Sequence, residues 1–271
     1  MSPQWIDGGA RVVENIGGAG GDIGTGRAAR AAPDGYTVLF VFGSFVVSPS
    51  LFAKVSYDPT KDFAPVTLAA ATPTVLVVNA SLSVRSVKDL IDLIATNRGK
   101  FNFAHGGIGT QAHLAGEQFR LKLRLDLLPV LFGGAGPATA SVVAGHTPIG
   151  FISLAAVASH VNDGKLRALA VTSKTRPRML PDVPTMEQVG HPDILGDSWV
   201  GVLVPAGTPE NIIALLHREI VQIIAQPEMA ERLLTLGYEP VASTPAEFAK
   251  QITAELAIWA NVVRAANIKV Q

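Results

Sequence analysis

Phe103-Ala-His-Gly-Gly-Ile-Gly-Thr110 is a glycine-rich stretch that joins a short apolar run, residues 101–104, to a helical pattern over residues 111–122. Its glycines let the backbone turn tightly and approach a ligand closely, and Thr110 or Gln111 begins the helix. The first N–H groups of a helix have no partner within it, and the helix dipole favours negative charge beside them. This stretch therefore predicts a strand–loop–helix unit whose loop can accept an anion.

The same alternation of strand and helix extends along the chain. Strands are predicted over residues 11–14, 36–42, 66–68, 75–79, 101–104, 127–132, 149–152, 167–172 and 199–204. Helices are predicted over residues 23–31, 87–96, 111–122, 137–144, 154–162, 210–225, 227–236 and 245–266, with Ser86 and Thr244 as N-caps. Strands that alternate with helices favour right-handed βαβ crossovers, so we expect an α/β fold with mainly parallel sheets.

Composition excludes several classes of protein. The 271 residues carry 22 basic and 22 acidic side chains, whereas a nucleic-acid-binding protein needs an excess of Lys and Arg. Hydrophobic residues make up 48% and charged residues 16%, which excludes a disordered chain. Because the sequence has no cysteine, it has no disulfide, thiolate zinc site or cysteine nucleophile. No apolar run reaches the ~18–20 residues that span a bilayer.

A nicotinamide-dependent oxidoreductase is one alternative. Gly20, Gly24 and Gly26 have the G-x-x-x-G-x-G spacing of short-chain dehydrogenases, after a predicted strand and at the start of a predicted helix. Those enzymes also need a Tyr and a Lys four residues apart on one helix. Tyr57 and Lys61 have that spacing, but a proline between them predicts a turn, and they follow the glycines too closely. The glycine spacing alone is a weak signal.

Other catalytic signatures are missing from the sequence. It contains no G-x-S-x-G nucleophile elbow and no G-x-x-x-x-G-K-[ST] phosphate-binding loop. His113 and Glu117 lie four residues apart on a predicted helix, with His105 nearby, so they represent either a metal site or an ordinary contact on one helix face. We expect the ordinary contact, no metal, no cofactor and no enzyme activity.

Four loops rich in glycine or small polar residues follow predicted strands and precede helices. They are residues 43–49 with Ser44 and Phe45, residues 103–110, residues 132–137 with Gly133, and the loop at Ser153. Ligands of open α/β sheets bind at the carboxyl ends of strands, so we expect these loops to meet in one cleft for a small ligand. Each loop taken singly is equally well explained as a turn.

Eight segments of the chain form a specific pattern in their order and spacing. They include Ala32-Pro-Asp-Gly-Tyr-Thr37, His113-Leu-Ala-Gly-Glu117 and Trp199-Val-Gly-Val-Leu-Val-Pro-Ala-Gly-Thr-Pro209, and the others are residues 18–24, 57–66, 164–171, 180–185 and 236–241. In this pattern the sequence resembles the Bug, or tripartite tricarboxylate transporter receptor, family of extracytoplasmic solute-binding proteins. The resemblance extends from about Val12 to the C-terminus.

The resemblance implies a periplasmic-binding-protein-like α/β fold, with two lobes joined by a hinge. We expect the first lobe in residues 1–78 and 205–271, and the second lobe, including a crossing strand, in residues 79–204. The implied function is capture of a small carboxylate in the cleft between the lobes, without bond chemistry. The implied partners are the membrane subunits of a tripartite tricarboxylate-type transporter.

The resemblance also implies a site made largely of backbone N–H groups and ordered waters. Its residues in this chain are Ser44, Phe45, His105, Gly106, Gly107, Gly109, Thr110, Gly133 and Ser153. Many relatives carry an acidic residue near the strand at 149–152, where this chain has Thr147-Pro-Ile-Gly-Phe-Ile152. An apolar residue there removes a contact with an amino group, so we expect a plain or aromatic carboxylate rather than an amino acid.

The start of the sequence departs from the family pattern. Family members begin with a signal peptide, a first strand and a ligand-binding loop, whereas this sequence joins at the end of the helix that follows. We therefore expect the first lobe to lack its N-terminal strand, to bind carboxylate weakly unless another segment fills the gap, and to dimerise through exposed sheet edges. A complete chain is expected to be monomeric. The family implies the periplasm; a true start at Met1 implies a cytoplasmic protein, including a carboxylate sensor that uses the same cleft.

Overall fold

The computed structural model describes residues 12–16 and 21–268 and confirms the α/β class. These residues form the strands β1 (Leu39–Phe42), β2 (Phe63–Thr72), β3 (Thr74–Asn79), β4 (Phe101–His105), β5 (Leu127–Leu131), β6 (Ile149–Ser153), β7 (Leu166–Val171), β8 (Ser198–Pro205) and β9 (Glu239–Pro240). The helices are α1 (Asp22–Ala29), α2 (Ser44–Leu51), α3 (Val87–Thr96), α4 (Gln111–Lys122), α5 (Ala135–Val143), α6 (Leu154–Asn162), α7 (Glu210–Ile224), α8 (Pro227–Thr235) and α9 (Pro245–Ala265). None of the helices in this part of the chain is long and apolar enough to cross a membrane.

The strands are divided between two sheets, each of which is the centre of one lobe. The first lobe contains a sheet with the strand order β1-β8-β2-β9, and the second lobe contains one with the order β5-β4-β6-β3-β7. In the second lobe, a core that includes Phe103, Phe119 and Phe151 lies between the sheet and helices α3 and α4. In the first lobe, Trp199 and Phe248 belong to a core that also involves α2 and α9.

The expectation of mainly parallel sheets is wrong for the first lobe. β8 pairs antiparallel with both β1 and β2, and β9 also pairs antiparallel with β2. In the second lobe β4 pairs parallel with β5 and β6, whereas β3 pairs antiparallel with β6 and β7. A strand–helix alternation predicts parallel pairing only if each crossover returns to the same sheet, and this chain changes sheet directly at Pro73, between β2 and β3.

Several elements follow their sequence signals closely. Helices α3, α4 and α6 have the predicted bounds, and the Ser86 hydroxyl accepts a hydrogen bond from the Asp89 N–H as the expected N-cap. The strand predicted at 11–14 is wrong in its described part, because residues 12–14 are irregular and exposed; residue 11 lies outside the described residues. The predicted loop at 43–49 is mostly helix α2. That helix is buried on successive residues, Phe45 to Ser48, so it has no amphipathic period to mark it.

The two lobes are connected where the chain passes between the sheets. β3 hydrogen-bonds within the second sheet and β8 within the first. The chain therefore passes from one sheet to the other at Pro73 and again between β7 and β8. The lobe boundaries at 78/79 and 204/205 stay a prediction, as does the missing N-terminal strand of the first lobe. Among the described strands, β1 lies at the edge of its sheet, with Phe40 and Phe42 exposed.

Candidate functional site

The N-termini of three helices lie at the carboxyl ends of three parallel strands in the second lobe. β4, β5 and β6 end at His105, Leu131 and Ser153, and they are followed by α4, α5 and α6. The Phe132 N–H donates to the His105 carbonyl oxygen at 3.0 Å, which extends the β4–β5 pairing into the loops. This edge of the sheet therefore presents helix amides and the positive ends of three helix dipoles to one region.

The loop between β4 and α4 is held by hydrogen bonds among its own residues. The Thr110 hydroxyl donates to the Gly107 carbonyl oxygen at 2.9 Å and accepts from the His113 N–H at 3.2 Å. The Gly109 N–H donates to His113 Nδ1 at 3.1 Å. His105 Nδ1 lies 3.1 Å from the Gly107 carbonyl oxygen. These contacts fix the loop in one conformation without a ligand.

His105 and His113 stack on each other, with ring centroids 4.1 Å apart, and both are buried. Burial lowers the pKa of His105, and burial together with the neighbouring His105 and Arg120 lowers the pKa of His113 to about 3. Both rings are therefore neutral at physiological pH. The hydrogen bonds then place the proton of His105 on Nδ1 and that of His113 on Nε2. The loop presents no imidazolium cation.

Glu117 supports this arrangement from the next turn of α4. Its carboxylate accepts two hydrogen bonds from Arg120 Nε, each at 2.9 Å, and its Oε1 lies 3.8 Å from His113 Nε2. The His113–Glu117 pair is thus a contact along one helix face that also involves Arg120. No group of three or more His, Cys, Asp or Glu side chains among the described residues could hold a metal ion.

The loop between β5 and α5 packs directly on the β4–α4 loop. A Cβ at position 106 would lie 2.6 Å from the Ala135 nitrogen, so only glycine allows this approach. Gly134 has φ 142°, a backbone conformation that favours glycine, and it precedes α5 without a side-chain cap. Gly133 is exposed beside it. The loops that contain His105, Gly106 and Gly133 are therefore close together.

Helix α2 brings part of the first lobe to the same place. Gly43, just before α2, lies against the side-chain amide of Gln111, and Leu51 lies against Gly109. Ser44 begins α2 and is partly exposed. The Phe45 ring instead packs in the first-lobe core, stacked on Tyr57 at 5.3 Å. The contact with the second lobe is therefore made by Gly43 and the Leu51 side chain rather than by the Phe45 ring.

Ser153 ends β6, which neighbours β4 on the side opposite β5. It pairs with Thr74 across β3 and β6, close to the crossing at Pro73, whose carbonyl oxygen accepts from the Leu154 N–H at 2.9 Å. The Ser153 hydroxyl makes no cap bond to α6. The structure therefore brings together the predicted residues of α2, the β4–α4 loop and the β5–α5 loop, and places Ser153 beside the crossing.

A cavity of about 810 Å³ opens next to this region in the first lobe. It lies between α1 and β1, and it is bounded at one end by the predicted site residues Ser44 and Phe45. Tyr36, Phe40 and Phe42 are among the residues that line it. The cavity thus reaches the N-terminus of α2 from the side of the first lobe.

Gln111 is a residue of this region that the predicted site omitted. It is the first residue of α4, only 4% exposed, and it lies between α4 and the residue that precedes α2. Its place at the start of a helix after a glycine loop was visible in the sequence. Its packing against Gly43 depends on the way the lobes meet, which no local pattern reveals.

The residues of the dehydrogenase alternative have other partners. The Tyr57 hydroxyl donates to the Phe45 carbonyl oxygen at 2.9 Å, and burial raises the pKa of Tyr57. Lys61 is exposed and pairs with Asp58 at 3.0 Å within a turn. A Cβ on Gly26 would collide with the Ser56 side chain, so this glycine serves helix packing. Gly20 lies outside the described residues. Tyr57 and Lys61 therefore do not form a proton-transfer pair.

Two α/β lobes joined by crossing segments, with helix N-termini from both lobes at their junction, define a periplasmic-type solute-binding protein. Comparisons with known proteins support this assignment to the solute-binding proteins. The profile described as "Tripartite tricarboxylate transporter family receptor" matches residues 6–268. The chain belongs to this family of solute-binding receptors, which is a family of receptors and not of enzymes.

Individual relatives cover most of the chain. Protein BugT of Bordetella pertussis is 36% identical over 262 residues, which are 96% of this chain and 80% of BugT. The solved structure of the periplasmic binding protein BugD is 31% identical with a TM-score of 0.78, and the match covers 96% of this chain and 88% of BugD. Rpa4515 of R. palustris, solved with adipate, is 28% identical with a TM-score of 0.80, and the match covers 95% and 87%.

Proposed function

We propose that this receptor captures a small carboxylate at the junction of its lobes through the N-termini of α2, α4 and α5. The observation that supports this proposal is that several helix N-termini meet there while none of the nine predicted site residues is charged at neutral pH. Oriented backbone amides and helix dipoles bind an anion without a buried cation. The neutral state of His105 and His113 is consistent with such a site.

The proposed ligand contacts are those predicted from the sequence. Backbone groups of Ser44 and Phe45 reach the ligand from the first lobe. The second lobe contributes His105, Gly106, Gly107, Gly109, Thr110, Gly133 and Ser153. Since the Thr110 hydroxyl already bonds within its loop, its contribution to the site is to hold the loop amides in place.

The proposed ligand is a plain or aromatic carboxylate rather than an amino acid. The segment 149–152 is buried and apolar, so it offers no acidic group for a ligand ammonium. The buried Thr147 hydroxyl is hydrogen-bonded to Ser141 at 2.9 Å. The adipate bound by Rpa4515 is a dicarboxylate without an amino group, and it supports this choice of ligand class.

The proposed partners are the membrane subunits of a tripartite tricarboxylate-type transporter, which receive the ligand in the periplasm. Membership of the receptor family supports both the partners and the location. The connecting segments at Pro73 and between β7 and β8 are the natural hinge, because within the described residues the backbone passes from one sheet to the other there. Ligand binding is expected to draw the lobes together.

Thermal-shift screening of the full chain tests this proposal. At millimolar ligand, adipate or an aromatic acid should raise the melting temperature, since a ligand that binds only the folded state stabilises it. Adipamide, which has the same carbon skeleton without the charges, is the matched control and should give no shift. Stabilisation by glutamate in preference to adipate would contradict the ligand class.

Two further measurements separate the proposal from its alternatives. Small-angle scattering should show a smaller radius of gyration with the stabilising acid than without it. The fluorescence of added NADH should not change, whereas a dehydrogenase would bind it. NADH binding without any carboxylate response would overturn the proposed function.

A further inference from the structure

The side chain of Gln111 contains a buried hydrogen-bond donor without a partner. Its Nε2 atom makes no hydrogen bond within the part of the chain that the structure describes, although the residue is only 4% exposed. Buried polar groups in folded proteins are almost always paired, because water has been removed from them. An unpaired buried amide therefore indicates a partner outside the described residues, such as a ligand, or a hydrogen bond that forms only in one state of the protein.

The Gln111 amide lies between the starts of two helices that belong to different lobes. Gln111 is the first residue of α4, a helix of 12 residues, and its side-chain amide lies over Gly43, which precedes the 8-residue helix α2. A Cβ at position 43 would overlap the amide, so glycine at this position lets the Gln111 side chain lie against the start of α2. The Gln111 amide is thus enclosed between the N-terminus of a first-lobe helix and that of a second-lobe helix.

The surroundings specify the chemistry of the missing partner. Nε2 is a donor and requires an acceptor oxygen. The positive ends of the α2 and α4 dipoles favour negative charge on that oxygen. His105 and His113, in the adjoining β4–α4 loop and in α4, are both neutral and therefore supply no positive charge for a ligand anion. A carboxylate oxygen satisfies all of these conditions.

We propose that the Gln111 amide donates a hydrogen bond to a ligand carboxylate that enters between α2 and α4, and that it makes ligand binding a condition for stable closure of the lobes. This inference rests on the proposed function. When the lobes close without ligand, the donor is buried unpaired, which opposes the empty closed form. When a carboxylate oxygen is present, the donor is satisfied and closure is favoured.

Two substitutions at this position test the role. Gln111→Met keeps the length and shape of the side chain but removes the donor, and Gln111→Glu keeps the shape but replaces the donor with a negative charge. Both remain good helix residues, so α4 should form in each. Gln226→Met is the matched control, because Gln226 is exposed before α8 and makes no side-chain cap bond.

Calorimetric titration with the acid that stabilises the unaltered protein provides the first readout. We expect Gln111→Met to weaken binding roughly tenfold or more and Gln111→Glu to weaken it further, while Gln226→Met leaves it unchanged. The second readout is stability without ligand, which should be equal or higher in Gln111→Met, because an unpaired donor has been removed. If the Gln111 amide instead made a structural hydrogen bond within the protein, Gln111→Met would lower the stability without ligand.

The outcomes distinguish this inference from the proposed function. Unchanged affinity in Gln111→Met, or a loss of stability without ligand, would overturn the role of Gln111 while leaving carboxylate binding intact. If the unaltered chain binds no carboxylate, the proposed function fails, and the ligand role of Gln111 fails with it. Scattering adds a final comparison, since Gln111→Met should be more compact without ligand than the unaltered protein.

Discussion

Gly109 joins the conformation of the binding loop to the contact between the lobes. Its φ of 75° lies in the left-handed region, and its N–H donates to His113 Nδ1. A Cβ at this position would collide with the Leu51 side chain at the end of α2. Glycine is therefore favoured twice at this position, once by the backbone conformation of the residue and once by the space that Leu51 of the other lobe occupies.

A pair of alanine substitutions separates these two requirements. Gly164 has φ 71°, and no atom lies within 4 Å of the place that an added methyl group would take, so Gly164→Ala should lose only the backbone contribution, about 1–2 kcal/mol. Gly109→Ala should lose roughly 1 kcal/mol more, because the methyl group also displaces Leu51. Urea unfolding of both variants measures the difference. Equal losses would mean that the contact between Gly109 and α2 contributes nothing to stability.

At the scale of elements, α9 shows how a local signal fixes a helix start. The Thr244 hydroxyl accepts from the Glu247 N–H at 3.2 Å, and the Glu247 carboxylate accepts from the Thr244 N–H at 2.9 Å, which completes a capping box. Hydrogen bonds that the Thr244 hydroxyl and N–H donate to the carboxylate lower the pKa of Glu247. The helix they start supplies Phe248 and Trp259 to the first-lobe core.

Loss of this cap should destabilise the protein by about 1 kcal/mol in Thr244→Ala. The control is Thr253→Ala in the middle of the same helix, where the exposed hydroxyl bonds only to the Ala249 carbonyl oxygen. Alanine favours a helix interior more than threonine does, so the control should be neutral or slightly stabilising. Thermal unfolding of the two variants checks the prediction, and a smaller loss at Thr244 than at Thr253 would contradict it.

The difference between local signals, such as this cap, and contacts between distant segments explains which elements could be predicted from the sequence. Helix α3 was predicted with its bounds because its N-cap and apolar period are local signals, and the start of α4 because a glycine-rich loop and Thr110 precede it. Helix α2 was missed because it is buried on successive residues and has no amphipathic period, and the antiparallel first sheet because strand pairing depends on distant segments. The β4–α4 loop was recognisable from its glycines. The unpaired side-chain amide of Gln111 was not recognisable, since its burial depends on the contact between the two lobes.

At the scale of the whole molecule, one hydrogen-bond network connects the chain segments that pass between the lobes. Thr74 Oγ1 donates to the Gly196 carbonyl oxygen at 2.6 Å, and the Thr74 N–H donates to Thr172 Oγ1 at 3.0 Å. Thr172 Oγ1 in turn lies 2.6 Å from Asp197 Oδ1. Asp197 is therefore a titratable group within this network, and its charge state is coupled to the connection between the lobes.

Burial raises the pKa of Asp197 to about 7, and the nearby Glu255 adds to this effect, while the Thr172 hydrogen bond and Lys174 oppose it. An unfolded Asp ionises near pH 4, so between about pH 4 and 7 the folded protein holds a proton that the unfolded chain has lost. Its contribution to stability is complete below about pH 4 and is lost as the pH rises through 7, by an amount of the order of a few kcal/mol. Burial also raises the pKa of Glu255, which acts in the same direction.

Asp197→Asn imitates the protonated form at every pH and should therefore flatten this fall in stability. Urea midpoints at about pH 5 and about pH 8 measure it: the unaltered protein should lose stability between them, and the variant should lose clearly less. Asp182→Asn, at an exposed site, is the control and should keep the full pH dependence. If Asp197→Asn and Asp182→Asn respond alike, Asp197 is ionised in the folded state throughout this range, and the hinge does not couple proton uptake to the joining of the lobes.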